Sequence, residues 1–186
     1  MHYVVCAGEA GLLAHAGVRV LADGDMLVLE GPWTLGRAVL GVVEDEDMLA
    51  RLRPALHASP GAFAVEGMAA PEDGAAFVIA AHTMLDPVAF RPYADAIPDM
   101  LADFGVRSLA RGGKVTPLAG DFVPDRGVVL EFQSAAAVID FYTSEAYAPL
   151  LALRLRTTDP RFVVLTRAGP IQPDVRARAQ AFLRQS

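Results

Sequence analysis

The second half of the chain alternates short apolar runs with amphipathic segments. The first run, Phe77 to His82, lies between Gly74 and the pair Asp86-Pro87 and is bounded as a β-strand should be. A helix is predicted from Asp86, because an N-cap side chain is followed there by a proline. Pro98 is expected to kink or divide this helix, and Gly105 to end it.

Three more strands and a second helix complete this half. Val106 to Leu118 is interpreted as a bent or hairpin-like second strand, with a turn at Arg111-Gly112-Gly113. Gly127 to Phe132 is the third strand, Ser134 is predicted to cap the second helix, and Phe162 to Thr166 is the fourth strand. The order βαββαβ is that of a ferredoxin-like module, in which two helices cover one face of a four-stranded antiparallel sheet.

The first half repeats parts of this pattern in the same order. Gly17 to Ala22 parallels Gly105 to Ala110, and Gly31-Pro32-Trp33 parallels Gly120-Asp121-Phe122. Matched blocks at nearly constant spacing indicate an internal repeat. Chance similarity between two β-hairpins is the alternative interpretation.

A sheet with helices on one face leaves its other face to bury, and a second sheet of the same kind can cover that face. We therefore predict an α+β fold: two ferredoxin-like βαββαβ modules fused into an intramolecular dimeric α/β barrel, plus a C-terminal helix. Residues 1-70 are predicted to be a degenerate ferredoxin-like repeat, residues 75-170 the complete module, and residues 171-186 the helical tail. The tail is expected to lie on the barrel or on a neighbouring chain, which leaves a homodimer open.

Several motifs of the second half carry a resemblance to a known family. They are Ala110 to Lys114, Leu118 to Phe122, Pro124 to Ser134, and Phe141 to Tyr147 followed by Leu153-Arg154. In this order, between Phe77 and about Ala168, the chain resembles the domain-of-unknown-function 1330 family of dimeric α/β-barrel proteins. The resemblance implies the fold and the pairing of two sheets, but no established activity.

Composition narrows the class of protein. The chain has 186 residues, of which 53% are hydrophobic and 20% charged, and a formal net charge of -6, which is typical of a globular protein. Scattered cations argue against a nucleic-acid partner, because phosphates require clustered basic side chains. No apolar stretch approaches the roughly 20 residues that cross a bilayer, and the first residues have no basic region followed by an apolar stretch, so we expect no signal peptide. We therefore expect a cytoplasmic protein without a membrane partner, and the single cysteine, Cys6, excludes an intramolecular disulfide.

Glu131 is the first candidate for chemistry, because a carboxylate in a central strand must face either the helices or the interior between the sheets. Alternation places it with Val129 on the interior face, where an unpaired carboxylate would be costly. Arg111, Arg126 and Arg154 are its candidate partners. A structural ion pair is the alternative to a pocket carboxylate that acts as a base or a polar anchor.

His82 is the second candidate, since it alternates with Val78 and Ala80 on its strand and imidazole titrates near neutral pH. We expect it to face the same interior as Glu131, with a structural histidine as the alternative. The hypothesis is one pocket for a small molecule. Its predicted catalytic residues are Glu131 and His82, and its predicted substrate-binding residues are Arg111, Arg126, Tyr142 and Arg154.

The histidines show no metal-ligand spacing, and no glycine-rich nucleotide loop follows a strand, so neither a metal nor a cofactor is predicted. The first half has Val42 in place of Glu131 and no counterpart to Tyr147–Arg154, which confines the site to the second half. We predict a barrel that binds a small molecule, with a cofactor-independent enzyme as one form of that hypothesis. The competing hypothesis is a non-catalytic binding or assembly module with a filled barrel. An empty polar cavity of roughly a few hundred cubic ångströms beside Glu131 would favour the former, and a close-packed apolar centre the latter.

Overall fold

The computed structural model describes residues 1–8, 10–24, 26–33, 37–57, 59 and 61–184. The strands are β1 (His2–Ala7), β2 (Arg19–Ala22), β3 (Met26–Glu30), β4 (Ala38–Val43), β5 (Ala62–Glu66), β6 (Ala76–Met84), β7 (Arg107–Arg111), β8 (Val115–Ala119), β9 (Arg126–Phe132) and β10 (Thr158–Thr166). The helices are α1 (Ala10–His15), α2 (Glu46–Leu56), α3 (Arg91–Asp103), α4 (Ala135–Tyr142), α5 (Ala148–Thr157) and α6 (Pro173–Leu183). The last two residues of the predicted tail lie outside the described residues.

The strands form two five-stranded antiparallel sheets. Sheet A has the order β2-β4-β1-β5-β8, and sheet B has the order β3-β10-β6-β9-β7. Four strands of each sheet come from one half of the chain, and the fifth comes from the other half: β8 pairs with β5, and β3 pairs with β10. The predicted bent strand, Val106 to Leu118, is therefore two strands, β7 and β8, and β8 crosses to the opposite sheet. In the first half, β3 crosses in the same way.

Buried apolar side chains form three layers. The middle layer lies between the sheets and contains strand residues of both halves, among them Leu40 and Phe77. A second layer lies between sheet B and helices α3 to α6, and a third between sheet A and helices α1 and α2. The predicted fold, two ferredoxin-like modules closed as an intramolecular dimeric α/β barrel with a C-terminal helix, is confirmed. The domain bounds and a common origin of the halves stay predictions.

The helix predicted from Asp86 begins later than expected. The Asp86 carboxylate accepts hydrogen bonds from the backbone N–H groups of Val88 and Ala89, at 3.1 and 2.9 Å, within a turn. The helix itself, α3, runs from Arg91 to Asp103, and Pro98 does not divide it. Packing against sheet B compensates for the one hydrogen bond that a proline removes from a helix.

Candidate functional site

Glu131 faces the interior between the sheets, as predicted, but its partners differ from those expected. Its carboxylate accepts hydrogen bonds from the backbone N–H groups of Glu72 and Gly74, at 3.0 to 3.1 Å. Arg167 donates to it at 3.1 Å, and Arg107 Nε lies 3.4 Å away. Glu131 is 3% exposed, and these bonds hold the segment between the two halves against β9. These contacts support the structural ion pair over the pocket carboxylate.

Glu131→Gln is expected to lower the free energy of unfolding by about 1.5–3 kcal/mol, the usual contribution of a hydrogen bond to a charged group. Urea denaturation followed by circular dichroism measures this loss. Glu72→Gln is the control, because the Glu72 side chain is 65% exposed and pairs with Arg107 at the surface, where an ion pair contributes less than about 1 kcal/mol. Equal losses in the two variants would contradict the structural role of Glu131.

A β-bulge separates the arginines of β7. Arg107 pairs with Glu131 and Arg111 pairs with Val128, but the register shifts between them, so that Leu109 is an extra residue. A one-residue bulge turns the following side chains to the other face of the sheet. Arg107 therefore lies on the face of Glu131, whereas Arg111 lies on the face of the helices. The prediction that Arg111 pairs with Glu131 is wrong for this reason.

His82 also lies on the helix face of sheet B. In the β6–β9 register, His82 is opposite Arg126 and Phe77 is opposite Glu131. Positions an odd number of residues apart on one strand face opposite ways. His82 and Arg126 therefore share the helix face, and the expectation that His82 faces the same interior as Glu131 is wrong. The predicted Arg126–Glu131 pair is wrong for the same reason.

A cavity lies between the helix face of sheet B and helices α3 and α4. Its polar lining consists of His82, Tyr93, Arg111, Arg126 and Tyr147, and the rest of its lining is apolar. The centre of a water molecule can move through ≈ 30 Å³ of it, which is room for about two waters. A group of a few atoms fits this space, and three of the six predicted site residues line it.

Neither arginine of the cavity is neutralised. Among the described residues, Arg111 and Arg126 make no hydrogen bond or ion pair, and the Arg126 guanidinium lies 5.5 Å from the centre of the Phe90 ring. Burial lowers the pKa of Arg126, the nearby Tyr93 raises it, and Arg111 lowers it further. Two arginines that line one cavity, with no carboxylate among its described lining residues, form an arrangement that can bind an anion.

Arg154 lies behind the cavity and is fully buried. Its Nε donates to Tyr147 Oη at 3.1 Å, and its Nη1 lies 3.5 Å from His82 Nε2. The hydroxyl groups of Tyr147 and Tyr93 are 3.3 Å apart. Arg154 thus contacts both His82 and Tyr147, which line the cavity, although it is not the partner of Glu131.

The partner of Arg154 is Glu30, which belongs to the first half. Arg154 Nη1 donates to Glu30 Oε2 at 2.6 Å, and Nη2 donates to Oε1. The Tyr142 hydroxyl also donates to Oε1, so that Tyr142 supports this ion pair instead of lining the cavity. The prediction that Arg154 pairs with Glu131 is wrong, and the sequence reasoning missed Glu30. The sequence did offer one signal, a single carboxylate at the end of an apolar stretch. This stretch forms the strand that pairs with the sheet of the other half.

A second β-bulge turns Glu30 toward the helices. In the β3–β10 pairing, Val28 is opposite Val163 and Glu30 is opposite Phe162, so that Leu29 is an extra residue. Simple alternation would place Glu30 on the same face as Val28, between the sheets. The bulge instead places it with Phe162, in the layer under the helices.

Burial decides the protonation of the titratable groups. It lowers the pKa of His82 to about 3, with further lowering from Arg154 and Arg126, so that His82 is neutral at neutral pH. It raises the pKa of Tyr93, which Tyr147 raises further. Burial and the Glu30 carboxylate raise the pKa of Tyr142. Tyr93 and Tyr142 therefore keep their protons.

The polar groups around the cavity include several donors. Guanidinium groups only donate, tyrosine hydroxyls can donate as well as accept, and none of the described lining residues is acidic. The arrangement can hold a hydrogen-bond acceptor and stabilise negative charge, but it offers no carboxylate base. The described residues contain no group of three or more His, Cys, Asp or Glu that could hold a metal ion. None of the described helices has the length and apolar character needed to span a membrane.

Fold and site together define an intramolecular α/β barrel with a basic cavity under the helices of its second half. Residues 75–168 match the family described as Domain of unknown function (DUF1330). The chain belongs to this family. The matched range contains His82, Arg111, Arg126 and Arg154, whereas Glu30 lies outside it.

Solved structures resemble the chain at low sequence identity. A major regulator of staphylococcal pathogenesis is 11% identical, with a TM-score of 0.55, and the match covers 91% of this chain and 100% of that one. A Lactobacillus acidophilus protein provisionally described as a monooxygenase is 7% identical, with a TM-score of 0.49, over 89% of this chain and 92% of that one. The similarity to the first of these structures, at 11% identity, shows only a shared fold. Among curated proteins, none matches the chain significantly.

Proposed function

We propose that the protein binds a small anion, and specifically a carboxylate, in the cavity lined by His82, Arg111 and Arg126. One observation carries the proposal: among the described residues the buried Nδ1 of His82 has no hydrogen-bond partner, and the same cavity is lined by two half-buried arginines without an ion pair. Buried polar groups in folded proteins are nearly always hydrogen-bonded. A bound acceptor would supply the missing partner.

The size and chemistry of the cavity favour a carboxylate as the bound group. Its two oxygens match the parallel donors of a guanidinium, so that one arginine can hold both. The enclosed space holds a few atoms, and its remaining walls are apolar. A single small apolar group attached to the carboxylate, such as the methyl group of acetate, would lie against those walls.

A cofactor-independent enzyme is a narrower form of this proposal. Donors that surround a substrate oxygen can stabilise the negative charge that develops there during a reaction. Abstraction of a proton also needs a base, and the Nε2 of His82 faces the Arg154 guanidinium. Binding therefore needs no group beyond those in the cavity, whereas catalysis does.

The competing proposal, a non-catalytic assembly module with a filled barrel, has its own support. The space between the sheets is packed with apolar side chains, and Glu131 at its edge is paired with the protein itself. The packed layer lies on the face of sheet B that is opposite the cavity. A filled barrel therefore does not explain the cavity side chains under the helices, His82, Arg111 and Arg126, and for this reason we favour binding.

Binding is tested with acetate and propionate, titrated into ¹⁵N-labelled protein at low salt. Saturable shifts are expected for the backbone resonances around His82 and Arg126. Arg126→Met is expected to weaken binding by about 10- to 100-fold, because a hydrogen bond to a charged group contributes about 1.5–3 kcal/mol.

Arg156→Met is the matched control. Arg156 is an exposed residue of α5, so its loss removes the same charge without touching the cavity, and the affinity should stay within about twofold, given the screening of exposed charges. Two results would overturn the proposal. One is the absence of saturable shifts with either acid, and the other is an equal loss of affinity in both variants.

A further inference from the structure

Glu30 brings a negative charge from the first half of the chain to Arg154, which lies behind the cavity of the second half. It ends β3, an edge strand of sheet B, which pairs with β10 of the other half. Its side chain is 7% exposed, and that of Arg154 is fully buried. A bidentate pair at this depth holds the guanidinium in one plane, because both carboxylate oxygens are bonded to it.

Because the guanidinium plane of Arg154 is fixed, the directions of its other N–H groups are fixed as well. Nε points to the Tyr147 hydroxyl, at 3.1 Å, and Nη1 approaches the Nε2 atom of His82, at 3.5 Å. A guanidinium has donors and no acceptor. His82 Nε2 must therefore be the acceptor, and the single proton of the neutral ring belongs on Nδ1.

This proton faces no protein acceptor. Nδ1 of His82 is buried and has no partner among the described residues, and the side chain lines the cavity. We infer that Glu30 is a positioning residue that, through Arg154, holds His82 as the Nδ1–H tautomer and so presents a donor to the cavity. The benefit to a bound acceptor rests on the proposed function, but the tautomer itself does not.

The tautomer is measured by long-range ¹H–¹⁵N correlation spectra of protein labelled with ¹⁵N-histidine. In the wild type, His82 is expected to show a protonated Nδ1 and an unprotonated Nε2. Glu30→Gln removes the charge that holds Arg154, and the Nε2–H form is expected to appear. Asp140→Asn is the control, because it makes the same chemical change in an exposed ion pair with Arg178 and should leave the His82 signals in place.

A second variant keeps the test decisive if Glu30→Gln does not fold. Glu30→Leu combined with Arg154→Met replaces the buried pair with apolar side chains of similar volume, which proteins often tolerate. With no donor left for Nε2, the Nε2–H form is expected here as well. A wild-type His82 protonated on Nε2, or a folded double variant that keeps only the Nδ1–H form, would overturn the inference.

The acid titration separates this inference from the proposed function. If His82 has the expected tautomer but acetate and propionate do not bind, the positioning role stands and the proposed function fails. If the acids bind but the tautomer is the other one, the positioning role fails and the proposed function stands. If both hold, Glu30→Gln is also expected to weaken binding of acetate.

Discussion

Glu30→Gln is expected to lower the free energy of unfolding by about 3–5 kcal/mol, because it breaks a buried ion pair by removing one partner. Arg154 would keep its charge, since a guanidinium cannot give up its proton in a protein. Its side chain is 0% exposed, so water could not replace the lost carboxylate. Urea denaturation at constant pH, followed by circular dichroism, measures the change.

Two other variants show whether burial causes this loss. Glu30→Leu combined with Arg154→Met should recover most of the stability, because no charge remains buried. Asp140→Asn breaks an exposed ion pair with Arg178 and should cost less than about 1 kcal/mol. If Glu30→Gln costs no more than Asp140→Asn, the pair is not buried as described.

Phe77→Ala is expected to lower the free energy of unfolding by about 3–5 kcal/mol, the usual cost of truncating a buried phenylalanine. The Phe77 side chain is 0% exposed and packs in the layer between the sheets. Because this layer joins both halves, the loss should appear in the first half as well. Trp33, the single tryptophan, packs against the same layer from the first half and reports on it by fluorescence.

The fluorescence of Trp33 and the circular dichroism signal should therefore shift together in Phe77→Ala. Coincident transitions are the sign of one cooperative unit. Phe104→Ala is the control, because Phe104 is 41% exposed and lies outside the layer between the sheets, and it should cost less. Two separate transitions, with that of Trp33 unchanged, would mean that the halves do not share an interior.

The two halves are alike in topology but not in the site. In sheet A, β8 pairs with β5 just as β3 pairs with β10 in sheet B, and Ala119 lies opposite Ala62 where Glu30 lies opposite Phe162. An alanine supplies no carboxylate at that place. Among the described residues, sheet A therefore has no equivalent of the Glu30–Arg154 ion pair at this position. A site confined to the second half stays a prediction.

Local periodicity was sufficient to predict much of the fold. Alternation along Gly127 to Phe132 correctly placed Glu131 between the sheets, and the side chain of Ser134 caps α4 as predicted. The repeated blocks at Gly31 and Gly120 end the two exchanged strands. These features depend on neighbours close in sequence or on the need to bury one face of each sheet.

The sequence by itself determined the βαββαβ arrangement of the second half and named Arg111, Arg126 and Arg154, the arginines in and behind the cavity. Only the tertiary structure decided which of them meet. The bulges at Leu29 and Leu109 turn Glu30 and Arg111 to the helix face, and the exchange of β3 brings Glu30 to Arg154. Alternation cannot reveal an extra residue in a strand, because a bulge depends on the partner strand. For this reason the ion pair between the halves could not be assigned from the residues alone.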